Sequence, residues 1–156
     1  MSEDRATQLD RMRYTKNTTS SRLALLAIVF DVIFFIILYK SDVENYYYTA
    51  MIGASIIYNL VFMLAVFHCS EGVKNYRPAH SWVMVALGAI QIIRIFILPV
   101  NAHSTLLKSG EPVMGDKQFI WMTALLVASA VCLFASAAVN LTKSRALSAH
   151  IASLQD

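Results

Sequence analysis

Residues 24–40 read ALLAIVFDVIFFIILYK, an apolar stretch with one carboxylate, Asp31, near its middle. A helix that crosses a bilayer needs about 20 predominantly apolar residues, and this stretch with its flanks reaches that length. Asp31 would then lie near the centre of the membrane, where a charged side chain costs about 2.5–3.5 kcal/mol on insertion scales. The stretch therefore predicts a membrane-spanning helix whose carboxylate needs a partner.

The composition extends this prediction to the whole chain. Of 156 residues, 57% are hydrophobic and only 15% are charged, whereas soluble domains carry about 25% charged residues. The apolar residues are concentrated in blocks that are continuously apolar, which is typical of membrane helices and not of alternating barrel strands. The sequence thus predicts an all-α integral membrane protein, a bundle of four transmembrane helices. The predicted spans cover about residues 23–39, 46–69, 81–100 and 119–141.

Lysine and arginine residues predict the domain organisation and the orientation. Nine of them fall in the N-terminal segment 1–21, at its junction with the first span, in the connection between the second and third spans, and in the tail 142–156. Three fall in the other two connections. Cytoplasmic loops carry the excess of positive charge, so both ends of the transmembrane domain 22–141 are expected in the cytoplasm. A bacterial plasma membrane is the simplest location. The tail repeats apolar residues at helical spacing and is expected to form an amphipathic continuation of the fourth helix.

Each predicted span carries a polar side chain near mid-membrane. With a rise of about 1.5 Å per residue, Asn59, Gln91 and Ser129 fall close to the depth of Asp31, and Arg94 lies about one turn further outward. Two unpaired charges facing lipid would cost much of the insertion energy of their spans. We therefore predict an ion pair between Asp31 and Arg94 within a polar layer that also contains Asn59, Gln91 and Ser129.

Two interpretations of this layer are open. The ion pair could be structural, fixing which helix packs against which. Alternatively, the layer could carry protons or a solute, since ionisable groups within membranes often line transport paths. A fixed cation favours the charged form of Asp31 and makes it a poor proton carrier. A single pair also provides no continuous polar path to either surface, so the structural interpretation is favoured.

The fourth span contains a stripe of small residues at every fourth position. Small side chains let membrane helices approach closely, so this packing stripe is expected to contact a neighbouring helix of the same chain, of a second copy or of another protein. It consists of Ala124, Ala128, Cys132 and Ser136, and Asn140 continues it.

Catalytic, metal and cofactor sites are not indicated. The two cysteines form no recognised motif. The four histidines are expected near the membrane boundaries, solvated and not paired for haem; they are His68, His80, His103 and His150. No nucleophile–base arrangement or phosphate-binding loop is present, so we expect no enzyme activity, metal or cofactor. The basic residues are explained by orientation, so no nucleic-acid partner is expected.

These features predict a small polytopic membrane protein that acts as an accessory, assembly or regulatory subunit of a larger membrane complex, for example a transporter. Its expected partners are the lipid bilayer and other membrane-protein subunits, or copies of itself. The alternative is a homo-oligomeric channel or secondary transporter that uses the mid-membrane polar layer.

Overall fold

The structure is a computed structural model that describes residues 3–39, 46–107 and 109–154. In these ranges the fold is all-helical apart from one isolated β-bridge between Leu106 and Pro112, so the predicted all-α class is confirmed. The helices are α1 Glu3–Met12, α2 Thr18–Tyr39, α3 Tyr46–Lys74, α4 Pro78–Ile95, α5 Asn101–Ser104 and α6 Asp116–Ala152.

Four helical segments are long and apolar enough to cross a membrane: Thr18–Tyr39, Thr49–Lys74, Pro78–Ser104 and Asp116–Ala152. Only 22–44% of the most apolar window of each segment is buried inside the bundle. Large apolar side chains such as Ile57 and Leu64 point outward, the latter 71% exposed. A soluble monomer rarely exposes apolar surface on this scale. The protein is therefore a membrane protein with four helices suited to span the bilayer.

The third membrane segment is longer than predicted. Its predicted end is about residue 100, but the chain stays helical to Ser104. Residues Phe96–Val100 form a π-helical turn that contains Pro99. Proline lacks an N–H and clashes with the carbonyl one turn earlier, and a wider turn relieves this clash without ending the helix.

The fourth membrane helix also passes its predicted end at residue 141. It is continuous for 37 residues, so the tail is an extension of the same helix. α1 packs on this extension, and His150 Nε2 lies 3.0 Å from Asp10 Oδ1. His150 is buried, so the expectation that it is solvated was wrong, because the N-terminal segment folds into a helix that covers it.

The helices form a bundle in which α6 packs along both α2 and α4, α2 also packs on α3, and the contact between α3 and α4 is smaller than these three. Two buried apolar clusters fill it. One lies at the end that carries α1, hereafter the α1 end, and consists of Ala24, Ala27, Phe62, Val66, Cys69, Val73, Met84, Leu133 and Ala137. The other lies at the end closed by the 105–115 loop, the loop end, and consists of Phe34, Leu38, Ile95, Leu98, Ala102, Met114, Met122, Leu125 and Leu126.

Candidate functional site: a buried polar network between the spans

Asp31 lies on the inward face of α2 and is fully buried. Its Oδ1 accepts hydrogen bonds from Arg94 Nη1 at 3.0 Å and from Gln91 Nε2 at 3.0 Å. Both donors come from α4, one turn apart on the same face, as the i, i+3 spacing requires. The structure therefore brings the two predicted intramembrane charges into a direct ion pair.

The guanidinium of Arg94 is held from several directions. Its Nη1 also lies 3.4 Å from Gln91 Oε1, and its Nη2 donates to Ser55 Oγ at 2.6 Å. Its Cζ lies 4.4 Å from the ring centroid of Phe34 and 4.5 Å from that of Tyr58. Cation–π contacts of this kind stabilise a cation most where water is excluded. The sequence analysis did not find the two aromatic partners, although Phe34 follows Asp31 by three positions and Tyr58 follows Ser55 by three.

The fourth span joins through Ser129. Gln91 Nε2 lies 3.4 Å from Ser129 Oγ, which donates to the Ala27 carbonyl at 3.1 Å. Every membrane helix thus contributes to one hydrogen-bonded set, hereafter the core network. Its members are Asp31, Ser55, Gln91, Arg94 and Ser129.

Asn59 was predicted to share this layer, but the structure does not bring it into the core network. It is buried on α3, and neither its Oδ1 nor its Nδ2 has a hydrogen-bond partner among the described residues. Ser55, one turn away on the same face, makes the α3 contact instead. Asp31 Oδ2 and Tyr58 Oη are likewise buried without a partner in the described part of the chain.

The energetics of the core network depend on its surroundings. It lies between the two apolar clusters, so both charges are removed from water and from lipid. Desolvating an ion costs several kcal/mol, and a buried pair offsets this cost only with good geometry and further hydrogen bonds. Gln91 and Ser55 add hydrogen bonds to the two charged groups, but Asp31 Oδ2 has no partner among the described residues, so the cost is offset only in part. Such a pair contributes little net stability, but it disfavours any packing that separates α2 from α4.

A second set of polar contacts lies toward the α1 end, and sequence reasoning missed it. Ser20 Oγ donates to the Ser136 carbonyl at 2.6 Å, and Ser136 Oγ donates to the Ser20 carbonyl at 2.7 Å. These reciprocal bonds require the backbones of α2 and α6 to approach closely, which small side chains permit.

The second set continues with two asparagines. Asn17 Nδ2 donates to Asn140 Oδ1 at 3.1 Å. Asn140 Nδ2 in turn donates to Ser81 Oγ at 2.8 Å and to the Arg77 carbonyl at 3.1 Å. One side chain on α6 therefore links the start of α2 to the start of α4. The signal in the sequence was the spacing of Ser20, Ala24, Ala27 and Asp31 on one face of α2, with Asn17 just before the helix.

The residues of the packing stripe do not share one environment. Ala124 is exposed, Ala128 and Cys132 are half-buried, and Ser136 is buried. Positions four apart advance by about 40° around an α-helix of 3.6 residues per turn, so the stripe rotates by about 120° over three steps. The end at Ala124, hereafter the outer end, faces away from the bundle. The end at Ser136, hereafter the inner end, packs against α2.

We predict that Asn140→Ala lowers the free energy of unfolding by about 1–3 kcal/mol, because it leaves the Asn17 amide and Ser81 Oγ with fewer partners in a buried site. Denaturation of the helical circular-dichroism signal by SDS in mixed micelles would measure this. Thr142→Ala is the control, since Thr142 is exposed and its hydroxyl, among the described residues, donates to the Ala138 carbonyl one turn earlier. Equal stability of the two variants would contradict the proposed bridging role of Asn140.

No group of three histidine, cysteine, aspartate or glutamate side chains is arranged to hold a metal ion in the part of the chain that the structure describes. Both cysteines are free. Searches of protein-family models, of curated proteins and of solved structures found no match to this chain.

Proposed function

We propose that this membrane protein is an accessory, assembly or regulatory subunit that packs beside a larger membrane complex, for example a transporter. In this proposal it lies in a plasma membrane with both ends of the chain in the cytoplasm, as the excess of lysine and arginine at the α1 end favours. The observation that carries the proposal is the Asp31–Arg94 pair, buried and hydrogen-bonded within the bundle. The two intramembrane charges hold helices together and need no ligand to balance them.

The interior of the bundle supports this reading. Between the Ser20–Ser136 contact and the core network lie Ala24, Met84 and Leu133, all fully buried. These apolar side chains interrupt the polar groups on the way to the α1 end. A proton or ion path needs continuous polar groups or water. The interior is therefore better suited to holding the helices together than to conducting protons or ions.

The outer surface leaves room for a partner helix. Ala124 is exposed and Ala128 is half-buried, so this end of the packing stripe is available for close contact with another membrane helix. The proposal assigns the protein no catalytic step.

The test is purification from native membranes under mild conditions, followed by mass measurement of the intact assembly. We expect the chain to co-purify in a fixed ratio with at least one different membrane protein. Ala124→Leu should weaken this association, whereas Val131→Leu, a small change at a side chain that is already exposed, should not. Recovery of the wild-type chain only as a monomer or with copies of itself would refute the proposal.

A homo-oligomeric channel or secondary transporter is the second candidate, and one observation favours it. Arg94 and Ser55 line a cavity of about 230 Å³ between α3 and α4, two helices that contact each other less than either contacts its other main neighbour. On α3, the side chains of Asn59 and Tyr58 carry buried polar atoms that have no partner among the described residues. If Asp31→Asn folds normally yet abolishes proton-coupled uptake in liposomes, this second function replaces the first.

A further inference from the structure

A cavity of about 320 Å³ lies at the α1 end of the bundle. It is bounded by the connection between α1 and α2, by the turn between α3 and α4, and by the extension of α6. We call it the basic pocket. Its lining includes the cations Arg13, Lys16 and Lys74 and the aromatic rings of Tyr14 and Tyr76.

The basic pocket lies at the depth where a bilayer has its headgroups. α2 begins at Thr18, α3 ends at Lys74 and α4 begins at Pro78, so the lining residues directly border the ends of three membrane helices. The polar headgroup layer begins where the hydrocarbon ends. Trp82, in the first turns of α4, is exposed, as is typical of indole rings at this boundary.

The pocket carries a positive charge that the protein does not fully balance. Its three charged lining residues are all cations. Lys74 is ion-paired with Glu71, and Arg13 Nη1 lies 3.9 Å from Asp10 Oδ1. Lys16 makes no ion pair with any residue that the structure describes. About one positive charge therefore remains for a ligand.

Tyr76 forms one wall of the pocket from an unusual backbone conformation. Its φ is 55°, in the left-handed region that favours glycine. Its N–H donates to the Val73 carbonyl at 3.1 Å, and the Arg77 N–H donates to the Gly72 carbonyl at 3.3 Å. These two bonds end α3 in the manner of a Schellman motif, whose left-handed residue is usually glycine. A tyrosine here has a steric cost, which a role for its side chain would explain.

From this geometry we propose that the basic pocket binds the phosphodiester of an anionic phospholipid headgroup. The phosphodiester of an anionic lipid carries a single negative charge that matches the unbalanced positive charge, whereas in phosphatidylcholine the choline cation cancels it. Lysine and arginine donate charge-assisted hydrogen bonds to phosphate oxygens, and the phenols of Tyr14 and Tyr76 supply neutral donors. Met12 and Leu147 provide an apolar border for the glycerol and the first methylenes of the acyl chains. Anionic lipids attract each cation at this depth strongly enough for about a fivefold preference.

The experiment uses the full chain in detergent, with native mass spectrometry to count bound lipid. Phosphatidylglycerol and phosphatidylcholine with identical acyl chains are supplied at equal concentrations. We expect one phosphatidylglycerol per chain, retained about fivefold more than phosphatidylcholine. Lys16→Gln should reduce this retention about fivefold. The matched control is Arg145→Gln, an exposed cation at the same end of the bundle that does not line the pocket, and it should retain the lipid.

A second variant separates binding from folding. Tyr76→Gly removes the wall while relieving the left-handed strain, so it should raise the midpoint of thermal unfolding and lower lipid retention. Soluble glycerophosphoglycerol, the deacylated form of phosphatidylglycerol, presents the same phosphodiester without acyl chains, and we expect it to displace no lipid at equal concentration. The proposal is overturned by equal retention of the two lipids, by equal losses in Lys16→Gln and Arg145→Gln, by unchanged retention in Tyr76→Gly, or by binding of glycerophosphoglycerol in place of the lipid.

Discussion

Arg94→Met is expected to lower the free energy of unfolding by about 3–5 kcal/mol, because it leaves the carboxylate of Asp31 buried without a counter-charge. The loss includes more than the ion pair. Ser55 Oγ and Gln91 Oε1 also lose a donor, and the rings of Phe34 and Tyr58 lose the cation that they contact. SDS titration of the helical signal in mixed micelles would measure the change.

The double variant Asp31→Leu with Arg94→Met is the informative control. Replacing a whole buried ion pair by apolar side chains of similar volume is often neutral or stabilising, because neither charge then has to be desolvated. We expect the double variant to recover most of the stability lost in Arg94→Met. A single variant as stable as the wild type, or a double variant as unstable as the single one, would contradict a structural role for the pair.

Exchanging the charges, by Asp31→Arg with Arg94→Asp, tests whether charge balance alone determines the stability of the bundle. Charge balance alone predicts that the exchange restores folding. The structure predicts partial recovery, because the guanidinium at position 94 also contacts Ser55, Phe34 and Tyr58. A short carboxylate at that position would leave these groups without their partner.

The sequence alone predicted those features that depend only on the length of the apolar segments and on the positions of the charges within them. Apolar length predicted four membrane helices because hydrocarbon thickness sets the number of residues needed. The cost of isolated charges led from Asp31 to Arg94, since only one cation lies within a span. Neither inference required knowledge of how the helices are rotated about their axes.

Features that depend on helix rotation were not accessible in the same way. The reciprocal bonds of Ser20 and Ser136 require α2 and α6 to present those two positions to each other. α2 has two serines and α6 has four, so the pattern alone does not select the pair. The same uncertainty placed Asn59 in the polar layer, whereas the structure uses Ser55, one turn away on the same face of α3.

The second large effect on stability is expected in the packing stripe of α6, where substitution by leucine should act differently at the two ends. Ser136→Leu places a bulky side chain where α2 and α6 are joined by a 2.6 Å hydrogen bond. Overpacking in a tight interface costs about 1–3 kcal/mol, and the loss of buried hydrogen bonds adds about 1–3 kcal/mol. We expect the free energy of unfolding to fall by about 3 kcal/mol or more, again measured by SDS titration.

Ala124→Leu should leave that free energy within about 0.5 kcal/mol of the wild type, because Ala124 is exposed and an added apolar side chain faces lipid or a partner. Both substitutions introduce leucine into the same helix, and both raise the hydrophobicity of the side chain. Helix propensity falls slightly in Ala124→Leu and rises slightly in Ser136→Leu, so it does not explain a larger loss in the latter. A stable Ala124→Leu chain that no longer associates with a partner protein would assign the outer end of the stripe to docking and the inner end to folding. Comparable destabilisation by both substitutions would instead place both positions inside the bundle, contrary to the rotation of the stripe.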